Sequence, residues 1–183
     1  MKIKGATLKE LAFIISDYLG KNGVEVVLSG GACVSLYTQN KYMSYDLDFV
    51  LISSEAHKKT RDLLITIGFI ENGRYFRHPD TEYFLDFLPS PLSVGEEPVK
   101  EINKIKRGKR ILSLLSPTDC IKDRLAAYFY WDDRQSLEQA ILVLKDQPAD
   151  LAEVERWSKK EGNEDKFMLF LEKARKSIKK INT

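Results

Sequence analysis

The chain has 183 residues, 43% hydrophobic and 31% charged, with 29 Lys and Arg against 27 Asp and Glu for a net charge of +2. That length fits one domain, or a compact domain with a helical appendage, and the near-balance of charge excludes a polycation built to coat nucleic acid. No apolar run approaches the roughly 20 residues a membrane-spanning helix needs, and the basic start from Met1 to Lys9 lacks a signal-peptide core, so a cytoplasmic protein without a membrane partner is expected.

In chain order, Thr7-Leu-Lys-Glu10 is a capping box, and Leu8, Leu11, Ala12, Ile15, Tyr18 and Leu19 follow at helical spacing until Gly20 and Gly23. Val24 to Leu28 reads as a short β-branched strand. The turn Ser29-Gly30-Gly31 precedes a short helix from Ala32 to Tyr37, and a strand follows from Asp46 to Ile52. A helix over about Glu55 to Ile67 stops at Gly68. Phe69 to His78 reads as a hairpin around Asn72-Gly73, a dipeptide suited to a type I′ turn. Tyr83 to Leu88 is a further strand, Pro89 and Pro91 open a loop, and Arg110 to Leu115 is the last strand expected.

From Ser116 the pattern is helical throughout. Ser116-Pro117-Thr118-Asp119 combines an N-cap serine, proline at the first helical position and a carboxylate two residues on. Asp132-Asp-Arg-Gln135 and Asp150-Leu-Ala-Glu153 read as two more capping boxes, and Phe167, Phe170, Leu171, Ala174 and Ile178 form one stripe. The expected organisation is an α/β unit over residues 1–115, with a small mixed sheet flanked by helices, and a C-terminal helical bundle over 116–183.

The chemistry concentrates in the α/β unit. Asp46 and Asp48 are two apart in a strand, so their carboxylates share one face. Such neighbours repel unless a cation sits between them, and hard oxygen ligands of this kind suit Mg²⁺. Asp86, inside the apolar run Tyr-Phe-Leu-Asp-Phe-Leu, needs a partner if its strand is buried. If that strand lies beside the first, all three carboxylates can meet at a pair of metal ions. The glycines of Ser29-Gly30-Gly31 let backbone approach a phosphate.

These residues carry a resemblance. A Gly-Gly turn, an Asp-x-Asp strand and a later acidic strand residue resemble the minimal, polymerase-β-like nucleotidyltransferase superfamily, and within it the AbiE-type toxin nucleotidyltransferases. Ser44, two residues before Asp46, matches a serine of that toxin-like branch. Lys122 and Arg124, in Ser116-Pro-Thr-Asp-Cys-Ile-Lys122-Asp123-Arg124, match a helix that supplies basic residues near the nucleotide. Tyr42, beside Lys41, stands where many toxin-like members have arginine, and the spacing from Gly31 to Asp46 is longer than in the polymerase-like members.

The resemblance implies a Mg²⁺-dependent enzyme with a two-metal site. It would move a nucleoside monophosphate from a nucleoside triphosphate to a hydroxyl of tRNA or protein, with an antitoxin as partner. Asp46, Asp48 and Asp86 would hold metal, Asp86 would assist deprotonation of the acceptor, and Ser29, Gly30, Gly31, Ser44, Lys122 and Arg124 would contact the nucleotide. The alternative is a catalytically silent nucleotide- or RNA-binding module on the same fold.

Outside this constellation, Lys100 to Arg110 holds six basic residues and reads either as a solvated hairpin or loop, or as a positive loop beside the site. Cys33 and Cys120, far apart in sequence, read as reduced core thiols. His57 and His78 lack metal spacing, and Tyr128, Phe129, Trp131 and Trp157 read as helical core.

Overall fold

The computed structural model describes residues 2–179, the side chains of 178 and 179 excepted, so the Ile178 side chain of the expected stripe lies outside what is described. The α/β unit runs α1 (Leu8–Lys21), β1 (Val26–Leu28), α2 (Gly30–Tyr37), β2 (Asp46–Leu51), α3 (Ala56–Thr66), β3 (Ile70–Asn72), β4 (Tyr75–Arg77), β5 (Phe84–Leu88), β6 (Ser93–Val94), β7 (Glu97–Pro98), β8 (Ile102–Arg107) and β9 (Arg110–Leu115). Four helices follow: α4 (Pro117–Trp131), α5 (Arg134–Asp146), α6 (Leu151–Lys160) and α7 (Glu164–Lys179).

Seven strands form one mixed sheet in the order β3-β4-β5-β2-β1-β9-β8, and β6 and β7 form a separate small ribbon. Only β2·β5 and β1·β9 are parallel pairs. The alternation in Asp-Leu-Asp-Phe explains how β2 divides its faces: Leu47 and Phe49 are fully buried in the core while Asp46 and Asp48 project from the other side. Phe49 stacks on Phe87 of β5 with ring centroids 5.6 Å apart, which locks the pairing of the two strands. Buried hydrophobics from Ile3 to Ala174 make a single cluster that runs across the Ser116 boundary.

The expected caps of α1 and α4 are present: Thr7 and Glu10 bond reciprocally, and Ser116 accepts from the Asp119 amide. Two others differ. Asp133, not Asp132, caps α5, because Asp132 takes the left-handed position that ends α4 (φ 52°). Asp150 does cap α6, but the Glu153 side chain turns to Lys122 and Arg156 instead of closing a box.

Three further expectations are corrected. The β3–β4 turn has Gly73 and Arg74 as its central residues, since Asn72 pairs with Tyr75. Only Gly73 has positive φ (63°), the pattern of a type II′ turn and not of type I′. Lys100 to Arg110 is not a loop beside the carboxylates: most of it is the edge strand β8, where Ile105 alternates with Lys104 and Lys106. Two strands separate β8 from β2, about 14 Å across at ordinary strand spacing, and its basic tip points to the opposite end of the sheet. There Lys2, Lys4, Lys21, Arg107, Lys109 and Arg110 line a cavity of about 620 Å³ with Glu10. Finally, Trp131 is 77% exposed at the last turn of α4, whereas Tyr128, Phe129 and Trp157 are core.

Candidate active site

Strand register assembles the carboxylates. Asp48 of β2 lies directly opposite Asp86 of β5, and in a parallel pair opposed residues share a face, so Asp46, Asp48 and Asp86 occupy one side of two adjacent strands. On the other flank of β2, the Ser29 amide donates to the Asp48 carbonyl (2.9 Å) and the Ser29 hydroxyl donates to the same oxygen (3.3 Å). Ser29 therefore ties the end of β1 to β2, and its side chain leaves the start of α2 uncapped.

The glycines fit this tie closely. Gly30 has φ +63°, and a Cβ there would stand 2.0 Å from Asp48 Oδ2. A Cβ on Gly31 would meet Ser44 Oγ at 2.8 Å and the Tyr42 ring at 3.2 Å. Both are needed for close approach: Gly30 to the Asp48 carboxylate, Gly31 to Ser44 and Tyr42. Ser44 is buried, donates its amide to Ser35 Oγ (3.1 Å), and donates its hydroxyl to Asp46 Oδ1.

The electrostatics follow from this crowding. Burial, then the adjacent Asp46 charge, pushes the Asp48 carboxyl up to about 7, with Asp86 and Asp123 adding to the rise and Arg124 opposing it. Asp86 is 3% exposed, and burial holds its carboxyl above the usual range although Arg74 pulls it down. Arg74 Nη2 lies 2.9 Å from Asp86 Oδ2, yet that oxygen accepts no hydrogen bond, so the contact is an ion pair without hydrogen-bond alignment.

Arg124 and Lys122 part company. Two residues apart on α4, they face different ways. Arg124 donates twice to Asp123 Oδ2 (3.0 and 2.7 Å) and once to Gln139 (3.3 Å), and its charge reaches Asp48 and Tyr42. Lys122 is buried elsewhere, 3.1 Å from both Asp119 and Glu153 and over the Trp157 ring. The structure brings together Ser29, Gly30, Gly31, Ser44, Asp46, Asp48, Asp86 and Arg124, and leaves Lys122 outside. Lys41 pairs with Asp146 (2.6 Å).

Two site residues escaped the sequence reading. Asp123 accepts from the Gly30 amide (3.3 Å) as well as from Arg124, so this amide is already engaged from within the chain. Its neighbour Arg124 was the signal that could have found it. Arg74 reaches the site because Tyr75 pairs with Asp86, which hangs the β3–β4 turn over the third carboxylate. A turn arginine carries no local sign of that.

Among the described residues no three acidic, histidine or cysteine side chains stand in ligand positions for a metal ion. Asp46, Asp48 and Asp86 share one face, and Arg74 lies against the third of them. Asp46 and Asp48 do suit a single hard cation: they are hard oxygen donors, adjacent, and at odds over charge. Burial also explains the remaining titratable groups: Cys33 and Cys120 are neighbouring core thiols, and the Cys33 thiol is pushed well up.

No family model and no curated protein matches the sequence. Solved structures do. An antigenic nucleotidyltransferase-like protein from Paracoccidioides brasiliensis superposes with a TM-score of 0.60 at 13% identity, over 78% of this chain and 77% of that one. The lincosamide antibiotic adenylyltransferase LnuA, solved with lincomycin, gives 0.52 at 18% identity over 74% and 96%. ANT(2″)-Ia, solved with adenylyl-2″-tobramycin, gives 0.50 at 14% identity over 93% and 98%. The mixed sheet, its flanking helices and these neighbours agree: the chain has a nucleotidyltransferase-like fold.

Proposed function

We propose that the protein transfers a nucleoside monophosphate from a nucleoside triphosphate to an acceptor hydroxyl. The observation that carries this reading is the pairing of Asp46 and Asp48 on one face of β2, with Gly30 pressed against Asp48 and Asp86 opposite it. A carboxyl pushed up to about 7 by burial, and then by the Asp46 charge, is a place where an external cation lowers the energy of the site.

Asp46 and Asp48 would hold Mg²⁺, which when bound supplies charge neutralisation for the triphosphate. Ser44 orients Asp46 by donating to Oδ1. Arg124, fixed by Asp123 and Gln139, adds positive potential on the same side. Asp86, paired with Arg74, receives the proton of the acceptor hydroxyl as its oxygen bonds to the α-phosphorus and the bond to pyrophosphate breaks.

The toxin resemblance supports tRNA or a protein side chain as acceptor, with an antitoxin partner. The small antibiotics in two structural neighbours support small hydroxylated acceptors for the fold. One observation favours the silent-module reading instead: the Gly30 amide and the Asp86 carboxylate are both engaged by side chains of the chain itself.

Incubation with each α-³²P-labelled nucleoside triphosphate, Mg²⁺, tRNA, cell protein, lincomycin and tobramycin separates these. Label is expected on one acceptor class, and Asp46→Ala is expected to cost on the order of 10³-fold in rate. Nucleotide binding without label on any acceptor would leave the silent module standing.

A further inference from the structure

We propose that Arg74 is the resident second cation of this site, so that the protein takes one divalent ion where three carboxylates would otherwise invite two. The inference rests on the transfer reading above and concerns how its acidic face is neutralised.

The first argument is geometric. Asp86 is 3% exposed, and its Oδ2 accepts no hydrogen bond from any described group. A buried carboxylate oxygen without a donor is costly unless a charge compensates it. Arg74 Nη2, at 2.9 Å, is that charge. An ordinary surface ion pair joins two solvated partners and contributes little. Here one partner is sunk in the sheet, while the arginine side chain is 68% exposed and reaches down from solvent.

Its placement is also fixed at both ends. The two-residue turn is pinned by Asn72 pairing with Tyr75 and by Tyr75 pairing with Asp86. The guanidinium carbon lies 4.7 Å from the centroid of the Tyr75 ring, a cation–π contact that favours this position.

The second argument is charge balance. Asp46, Asp48, Asp86 and Asp123 surround the site, and Arg74 and Arg124 face them. Four carboxylates against two guanidiniums leave two negative charges, the amount one divalent ion carries. Without Arg74 the remainder is three, and Asp86 is free to draw a second ion.

Mn²⁺ titration followed by electron paramagnetic resonance, on the intact chain and without nucleotide, tests this directly. Wild type should bind one ion per chain, Arg74→Ala two, and Arg74→Lys one. The double variant Arg74→Ala/Asp86→Asn should return to one, which assigns the second ion to Asp86. Arg74 lies on an exposed turn, and thermal melting confirms that its variants fold. Two ions on wild type, or one on Arg74→Ala, would sink the inference and leave the transfer reading intact. No ion on any variant would remove both.

Discussion

Two charged clusters on this chain are built in opposite ways. Around β2 and β5, carboxylates crowd together and the Asp48 carboxyl rises to about 7. Between β7 and α6, Arg156 grips Glu97 through two bonds (3.0 and 2.6 Å) and Glu153 through two more (2.6 and 2.8 Å), while Lys160 and Lys122 complete the lattice. There the neighbouring cations pull both glutamates down to about 2, Arg156 foremost. The second cluster is self-satisfied and ties the β6–β7 ribbon to the helical unit. The first is left short of positive charge, and the proposed cation site rests on that deficit.

The sharpest way to break the first cluster is Gly30→Ala. Alanine at φ +63° is strained, and its Cβ would fall 2.0 Å from Asp48 Oδ2. A loss of about 3 kcal/mol is expected in urea unfolding, together with loss of Mn²⁺ binding as the carboxylate is pushed aside. An unchanged midpoint would show that the close approach is not built into the fold.

Asp48→Asn sharpens the contrast from the other side by relieving the repulsion. The ordinary aspartate value is 3.8 and the folded value about 7, so the folded state keeps a proton that the unfolded chain has lost. Stability of the metal-free protein therefore falls as pH rises through that window. The shift sets a ceiling of about 4 kcal/mol, and the amide's own desolvation offsets part of it, leaving a gain of about 2 kcal/mol. The gain should be complete above pH 7 and absent below pH 4 in melts taken across that range. A gain that persisted at pH 4 would assign it to packing.

How much of this was legible in the sequence depended on the range of the interaction. Period-2 alternation placed Asp46 and Asp48 on one face, and local caps marked α1 and α4, because those signals lie within a few residues. The pairing that sets Asp86 beside Asp48 was only conditional in the sequence, since the parallel register depends on how distant strands meet. Lys122 and Arg124 share a helix and look equivalent, but a separation of two turns them apart, and only the packing of α6 shows that Glu153 claims the lysine. Arg74 was out of reach: its function depends on a type II′ turn and on the β4–β5 register together. The edge strand β8 was legible only as a solvated hairpin or loop, because its lysines outweigh Ile102 and Ile105, a bias that guards exposed sheet edges against pairing.

The smallest expected effect comes from the satisfied cluster. Arg156→Ala removes four bonds to two glutamates, but the arginine is 48% exposed and Lys160 and Lys122 remain, so solvent screening keeps the loss smaller than the effect of either change above. Its pH dependence runs opposite to that of Asp48. The glutamates start from an ordinary value of 4.5 and are held at about 2 in the fold, so their contribution is fully present above pH 4.5 and lost as pH falls toward 2. Wild type should lose stability across that acidic window, and Arg156→Ala should lose less, with the two curves converging near pH 2. Addition of Mn²⁺ at pH 7 should stabilise both proteins equally, because the ion meets only the other cluster. Unequal stabilisation would show that the two clusters communicate through α4, which carries Lys122 on one face and Arg124 on another.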